Sequence, residues 1–313
     1  MKDLGTRFPI EDKGELSWIL NVAITRNRDT REITLSQSLY ISDLLQRHES
    51  FIGENNTRSF DAPLGETLLD PADSPEVGSP EYDAMAPRRE AYMAIVGGLL
   101  WLANMSRPDL AYAASQLSRF MTNPGATHFH AAVRALIYLR GSKDRVLHFA
   151  PNPKMSFVTF VDSNWEAKYS CSGALFFFYG CPIQWFSKMQ RSVSLSSAEA
   201  EYFGAMLTAK DLIFIRDLIT DLGILLNGPS IVYSDSKSAV DMAFDPVAFK
   251  KTEHILRAGA FLRDLVAKQV LTLKHVKGHQ MVADILTKPC PRNQFHRILQ
   301  LLDSFSSSTL CEM

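Results

Sequence analysis

Two aspartates of this chain stand where an acid is costly. Asp162 closes the apolar run Phe157-Val158-Thr159-Phe160-Val161, and Asp235 follows Ile231-Val232-Tyr233 in the same way. A carboxylate beside a buried strand is rare unless a cation or a metal balances it. Taken singly, each has a plainer use as a strand-end turn residue or a helix cap. Asp235 in particular could cap the helix that Ser236-Lys237-Ser238 begins. Taken together, two acids at the ends of two different strands lie where open α/β sheets gather ligands, in the crevice beyond the strand ends.

A third carboxylate is offered by "SLSSAEAEYFGAM", residues 194–206, which holds Glu199 and Glu201 one residue apart. On a helix, positions i and i+2 point about 200° apart, so one of the two at most aims into a given site. The apolar stripe through Tyr202, Ala205, Met206, Ala209, Leu212 and Ile213 passes nearer Glu199 than Glu201, which puts Glu199 on the sheet-facing side. A competing use of the same side chain is local. Ser196-Ser197-Ala198-Glu199 fits S-x-x-E, a capping box in which the glutamate returns a hydrogen bond to the helix start.

The elements that must position these acids follow a clear order. From residue 150 onward "MSFVTFVDSNW", "GALFFFYG" and "CPIQWFS" read as three adjacent strands joined by tight turns. A long helix from Ser197 comes next, then a strand "SIVYSDS", a short helix from Ser236, a helix "TEHILRAGAFLRDLVAKQ", a strand "VLTLKHV" and a helical stretch from about Gln280. That succession predicts an α/β half with a mixed sheet. Ahead of it, "LSWILNVAITR" and "REITLSQ" around the turn Asn27–Thr30 predict a β-hairpin feeding the helix "SLYISDLLQRH". "DAPLGETLLDPADSPEVGSP" reads as a surface loop, and three helices follow: "PRREAYMAIVGGLLWLANM", "PDLAYAASQLSRFM" and "ATHFHAAVRALIYLRG".

Composition bounds what such a chain can be. Its 313 residues, 46% hydrophobic and 21% charged, suit an ordinary globular chain with room for two cores of about 150 residues. A net charge of −1 gives no overall basic field, so nucleic acid would have to be met by a local patch. The four cysteines show no C-x-x-C pair, which argues against a zinc module or a secreted disulfide framework and fits a reducing compartment. No apolar run approaches the roughly 18 residues of a membrane span, and the charged opening is not a signal peptide; no membrane partner is expected.

"FVDSNW", "WFSKMQRSVSLSSAEAEYFGA", "YSDSKSAV" and "HVKGHQMVADILTKP", in that order, resemble the ribonuclease H domain of copia-type LTR-retrotransposon Pol polyproteins. "YMAIVGGLLWLANMSRPDLAYAASQLSRFMTNP" is similar to the segment preceding that domain, and "GELSWILNVAITR" with "ITLSQSLYISDLL" to the end of the reverse transcriptase. The resemblance implies an α/β fold: a ribonuclease H-like mixed five-stranded sheet flanked by helices, preceded by a smaller α+β remnant of the reverse transcriptase thumb and connection region. It divides the chain into a reverse transcriptase remnant (1–60), a loop (61–87), a helical connection (88–150), the ribonuclease H-like domain (151–290) and a C-terminal helix and tail (291–313).

By the same resemblance, the metal-binding acids fall on Asp162, Glu199, Asp235 and Asp284. Two Mg²⁺ (or Mn²⁺) ions held there would cut the RNA strand of an RNA/DNA hybrid, selected by its 2′-hydroxyls and duplex shape. His279, in "KGH", resembles the histidine of cellular ribonucleases H that assists water or product release, although its spacing to Asp284 is shorter; the plainer reading is an exposed loop histidine. Lys274, Lys277 and Lys288 could bind phosphates or be solvated surface. His254 matches a recurrent family histidine, with Glu253 where a lysine is usual.

Polymerase chemistry in this family uses adjacent aspartates, and the chain has no Asp-Asp pair. The expectation is a truncated Pol fragment that makes no DNA by itself, with the missing upstream reverse transcriptase region as a partner. Its place would be the cytoplasm, in a virus-like particle, and the nucleus, not a secretory compartment. The alternative is a non-catalytic remnant that folds and at most binds nucleic acid or a polymerase partner. An integrase or transposase of similar fold is a weaker third reading, because those place their acids in another pattern.

Overall fold

A computed structural model describes residues 11, 14–53, 56–153, 155–165, 170–191, 193–244 and 256–305; His254 and Cys311 lie outside them. Among the described residues, Cys181 and Cys290 are buried and free, and Cys171 is buried. No helix among them is long and apolar enough to cross a membrane.

The amino-terminal sheet has the order β1-β2-β3-β4, with β1 Trp18–Ile19, β2 Val22–Asn27, β3 Glu32–Ser36 and β4 Leu147–Phe149, all antiparallel. The first apolar run therefore splits in two. Leu20 and Asn21 turn it back at φ of 52° and 60°, the consecutive positive values of a tight hairpin turn, common for asparagine and uncommon for leucine. β4 arrives from more than a hundred residues downstream, after the helices α1 Ser38–Arg47, α2 Ala86–Met105, α3 Ala111–Ser118 and α4 Ala126–Gly141.

The Pro- and Gly-rich segment is pinned rather than loose. Asn123 Nδ2 donates to Pro75 O at 2.8 Å, and the His128 ring bridges Gly125 N, 3.0 Å, and Asp70 O, 3.1 Å. Gly125 sits so close beneath Asp73 O that any Cβ there would collide with the carbonyl. Between the helices lies a closed polar knot. Arg107 and Asp109, each 1% exposed, pair at 2.7 Å; Tyr138 OH donates to Asp109 Oδ2 at 2.6 Å, and Arg107 also donates to Ser142 O and Oγ at 3.0 and 2.8 Å.

The second sheet has the order β7-β6-β5-β8-β9: β5 Phe157–Ser163, β6 Cys171–Phe178, β7 Cys181–Met189, β8 Ser230–Ser234 and β9 Leu271–His275. β5, β6 and β7 are antiparallel neighbours, whereas β8 and β9 join in parallel with β5. This is the mixed five-stranded sheet expected. β5 is buried along its whole length, and its side chains alternate between two cores as a two-residue period requires. Phe157 and Val161 pack with Phe176, Leu212, Leu262 and Leu271 beneath the helices α5 Ser197–Asp221, α6 Lys237–Phe244 and α7 Leu256–Ala267. Val158 and Phe160 face the other way, into a cluster that runs on through Leu286, Phe295 and Phe305 to Leu99, Leu136 and Ile41 of the amino-terminal helices.

The two halves of the chain thus share one core. Trp185 Nε1 of β7 donates to Ala103 O of α2 at 2.6 Å, and Tyr138 meets Phe295 edge to face. The helical stretch expected from about Gln280 is instead two 3-10 turns, Gly278–Gln280 and Val282–Leu286, followed by the helix α8 Arg292–Ser304. Pro289 and Pro291 interrupt helical hydrogen bonding, so the helix starts only beyond them.

Candidate metal centre

Strand register brings two of the acids together. β5 and β8 run parallel with Phe160 opposite Tyr233, and those two rings stack at 5.1 Å. Two residues further along each strand, with the same side-chain alternation, come Asp162 and Asp235. Both therefore emerge at the carboxyl ends of adjacent parallel strands, where the sheet opens into a crevice. The plainer use of Asp235 as a cap is taken by its neighbours: Ser236 Oγ accepts Ala239 N at 3.2 Å, and Ser234 Oγ accepts Ser236 N at 3.1 Å.

The third carboxylate is Glu201, not Glu199. Asp162, Glu201 and Asp235 each bring one ligand atom to within 4.8 Å of the others. Glu199 turns back on the helix start: its Oε2 accepts Leu195 N at 2.7 Å while Ser196 Oγ accepts Glu199 N at 3.2 Å. The helix start wins the side chain, although the bond goes to the N–H of Leu195, one residue before the Ser196 cap, rather than to the cap's own N–H as in a full capping box. Glu201 instead heads the buried stripe Glu201, Ala205, Thr208, Leu212, Ile215 and Ile219, spaced alternately four and three. Gly204 lets that face approach the sheet, since a Cβ there would strike Ser163 Oγ. The sequence signal that marks Glu201 is the run of small residues Gly204, Ala205 and Thr208 just after it; the stripe drawn through larger apolar residues included Met206 and Ile213, which are only half-buried.

Asp284 is buried close by but differently occupied. Its Oδ1 takes the Lys288 ammonium at 2.7 Å and its Oδ2 takes Gln294 Nε2 at 2.5 Å. Lys288 also lies 3.5 Å from Asp162 Oδ2, which accepts a short hydrogen bond from Thr287 Oγ1. Of the three lysines expected at phosphates, Lys274 and Lys277 are exposed while Lys288 is committed to these ion pairs. His279 is exposed on the turn Gly278–Gln280 and is not among the grouped ligand atoms. The histidine beside the acids is His275, whose ring meets Asp235 O at 3.1 Å.

Electrostatics make the trio unstable as bare anions. Burial, and then the charges of Asp162 and Asp235, push Glu201 up to about 10, against weaker pulls from the Ser163 backbone and Lys288. Burial and Asp162 likewise raise Asp235, and they push Asp284 up to about 6. For Lys288, burial opposes the charge, but Asp162 and Asp284 outweigh it and raise its pKa. Among the described residues, Glu201 Oε2 is buried with no hydrogen-bond partner. An unpartnered buried carboxylate oxygen in a group of three hard oxygen donors is the environment a divalent cation such as Mg²⁺ relieves, so the residues fit such an ion.

The sequence has relatives among known proteins. The chain is 33% identical over 309 residues to the retrovirus-related Pol polyprotein from transposon TNT 1-94 of Nicotiana tabacum, covering 97% of this chain and 23% of that protein. It is 32% identical over 299 residues to the Pol polyprotein from transposon RE1 of Arabidopsis thaliana, covering 94% of this chain and 19% of that one. The chain belongs to the retrovirus-related Pol polyproteins of copia-type transposons, and its sheet is ribonuclease H-like. It spans about a fifth to a quarter of the length of those relatives. No protein-family model matches it. A solved ribonuclease H1 in complex with an RNA/DNA hybrid aligns at a TM-score of 0.34 and 16% identity, over 42% of this chain and 94% of that one. A likeness that loose adds no weight; the strand order and the transposon relatives carry the assignment.

Proposed function

We propose that this chain is a ribonuclease H-type hydrolase of a copia-type Pol polyprotein, cutting the RNA strand of RNA/DNA hybrids with Mg²⁺ or Mn²⁺. The observation that carries the reading is the trio Asp162, Glu201 and Asp235, brought together from two strands and a helix with one buried oxygen of Glu201 unpartnered. Asp162, Glu201 and Asp235 would hold the ion, whose chemistry there would be polarisation of the phosphate and a lowered pKa for water. The protein contributes placement. Register fixes the two aspartates, and the close approach at Gly204 presses the helix and Glu201 against the strand ends.

Exposed Lys274 and Lys277 supply charge for the duplex backbone, and His279, on the turn beside Asp235, is open to solvent for proton exchange with released product. Choice of RNA over DNA would rest on 2′-hydroxyl contacts. The upstream reverse transcriptase region of the same polyprotein is the natural partner, and virus-like particles in the cytoplasm, together with the nucleus, are the places of action.

The test is cleavage of a labelled RNA/DNA hybrid in Mg²⁺ by the purified chain. Wild type and Glu199→Gln should cut alike, while Glu201→Gln and Asp162→Asn should fall at least about 100-fold, some 2.7 kcal/mol of lost transition-state stabilisation. No cutting by any of them would leave the non-catalytic reading; loss in Glu199→Gln but not in Glu201→Gln would overturn the site.

A further inference from the structure

Three buried acids and the half-buried Asp235 meet at the strand ends, yet the fold serves them unequally. Three of the four offer oxygens to one another within 4.8 Å, while the fourth, Asp284, has Oδ1 ion-paired with Lys288 outside hydrogen-bond geometry and Oδ2 hydrogen-bonded by Gln294. The lysine is aimed there by the backbone. Thr287 N and Lys288 N both close onto Asp284 O, at 3.2 and 3.3 Å, so the chain curls at the end of the 3-10 turn and sends Lys288 back across its own fourth-previous residue. Its ammonium then spans the gap to Asp162, 2.7 Å from one carboxylate and 3.5 Å from the other. Thr287, from the same turn, donates to the Asp162 oxygen that Lys288 faces.

We propose that the Lys288 ammonium fills the place of a second cation between Asp162 and Asp284, so that this chain binds a single divalent ion, at Asp162, Glu201 and Asp235. The proposal rests on the reading of that trio as a cation site and sharpens its stoichiometry. An ion bound to Asp284 Oδ1 at the 2.0–2.1 Å of magnesium ligation would sit within about 5 Å of the ammonium nitrogen. It would meet a fixed like charge in a buried setting, where screening is weakest. It would also have to break the Gln294 hydrogen bond or share an oxygen already paired. At the trio the ammonium is farther off, 3.5 Å from Asp162 Oδ2, and among the described residues Glu201 Oε2 has no hydrogen-bond partner to displace.

Binding of Mn²⁺ alone to the full chain, followed by the loss of the free-ion electron paramagnetic resonance signal, counts the ions. One ion per chain is expected for the wild type and for Lys288→Arg, which keeps the charge. Lys288→Met, with unchanged circular dichroism, should take up two, and Glu201→Gln should lose its one. Two ions in the wild type would overturn the single-ion proposal while leaving the trio as a site. No bound ion in the wild type would overturn the trio itself. One ion in a folded Lys288→Met would show that the lysine does not hold a cation's place. Should Lys288→Met fail to fold, the wild-type count and Lys288→Gln decide the matter in the same way.

Discussion

The chain buries charge in two places and resolves it in opposite ways. Between the amino-terminal helices, Arg107 and Asp109 neutralise each other, and Tyr138 and Ser142 use up the remaining donors and acceptors. At the strand ends of the second sheet, three carboxylates converge and the neighbouring Lys288 ammonium is shared with a fourth acid. The first knot is complete in itself; the second is complete only with something else present. Buried charge is therefore not one kind of evidence: a satisfied pair reports architecture, and an excess of one sign with an unpartnered oxygen reports a ligand.

The sharpest way to break this contrast is to unbalance the satisfied knot. Asp109→Ala leaves the Arg107 guanidinium buried without its counter-charge and Tyr138 without its acceptor. Removing one partner of a buried pair costs roughly 3–5 kcal/mol, so urea unfolding should show a fall of that size. Because the two halves share one core, the loss should also appear in fluorescence from Trp185, whose indole reports on β7. A fall below about 1 kcal/mol would mean that the knot is not a structural keystone.

The pH dependence of the two clusters should run in opposite directions. For Asp109, burial favours the neutral acid but Arg107 outweighs it and holds the carboxyl below its usual value. Its contribution is present above the unfolded value of 3.8 and is lost as pH falls through the lower folded value. Glu201, raised from 4.5 to about 10, keeps its proton in the fold where the unfolded chain has released it. Its contribution is intact below 4.5 and is lost as pH climbs from there towards 10. In EDTA, Glu201→Gln should therefore gain on the wild type as pH rises from about 5 to 8, by roughly 1–2 kcal/mol, the scale on which active sites trade stability for function. A difference that does not vary with pH would remove Glu201 from the frustrated cluster.

Those contrasts divide along what a sequence can carry. The strands of the second sheet and the long helix were legible because alternation and flanking turns are local. Asp162 and Asp235 stood out because an acid beside an apolar run is costly wherever the strand goes. β4 was not legible, since three residues become a strand only when β3 is brought beside them. Nor was the role of Lys288, which reads as surface charge until the turn at Asp284 folds it inward. Glu199 and Glu201 were the closest decision. Hydrophobic periodicity favoured the former because large residues dominate a moment, while the true contact face is built of Gly204, Ala205 and Thr208, whose value lies in being small.

That decision yields the smallest expected effect. Glu199 holds only the Leu195 N–H, a bond at the helix start that water can replace in part. Glu199→Ala should cost about 1 kcal/mol, the usual net worth of one such hydrogen bond, and Glu199→Gln less, since its amide oxygen can still accept the Leu195 N–H. Neither should alter Mn²⁺ uptake, because the trio is supplied from the face that Glu201 heads. If Glu199→Ala instead abolished ion binding with stability unchanged, the helix would have to present its other face to the strand ends. The close approach at Gly204 would then be incompatible with the site, which is why this mild substitution is a demanding check on how the helix is seated.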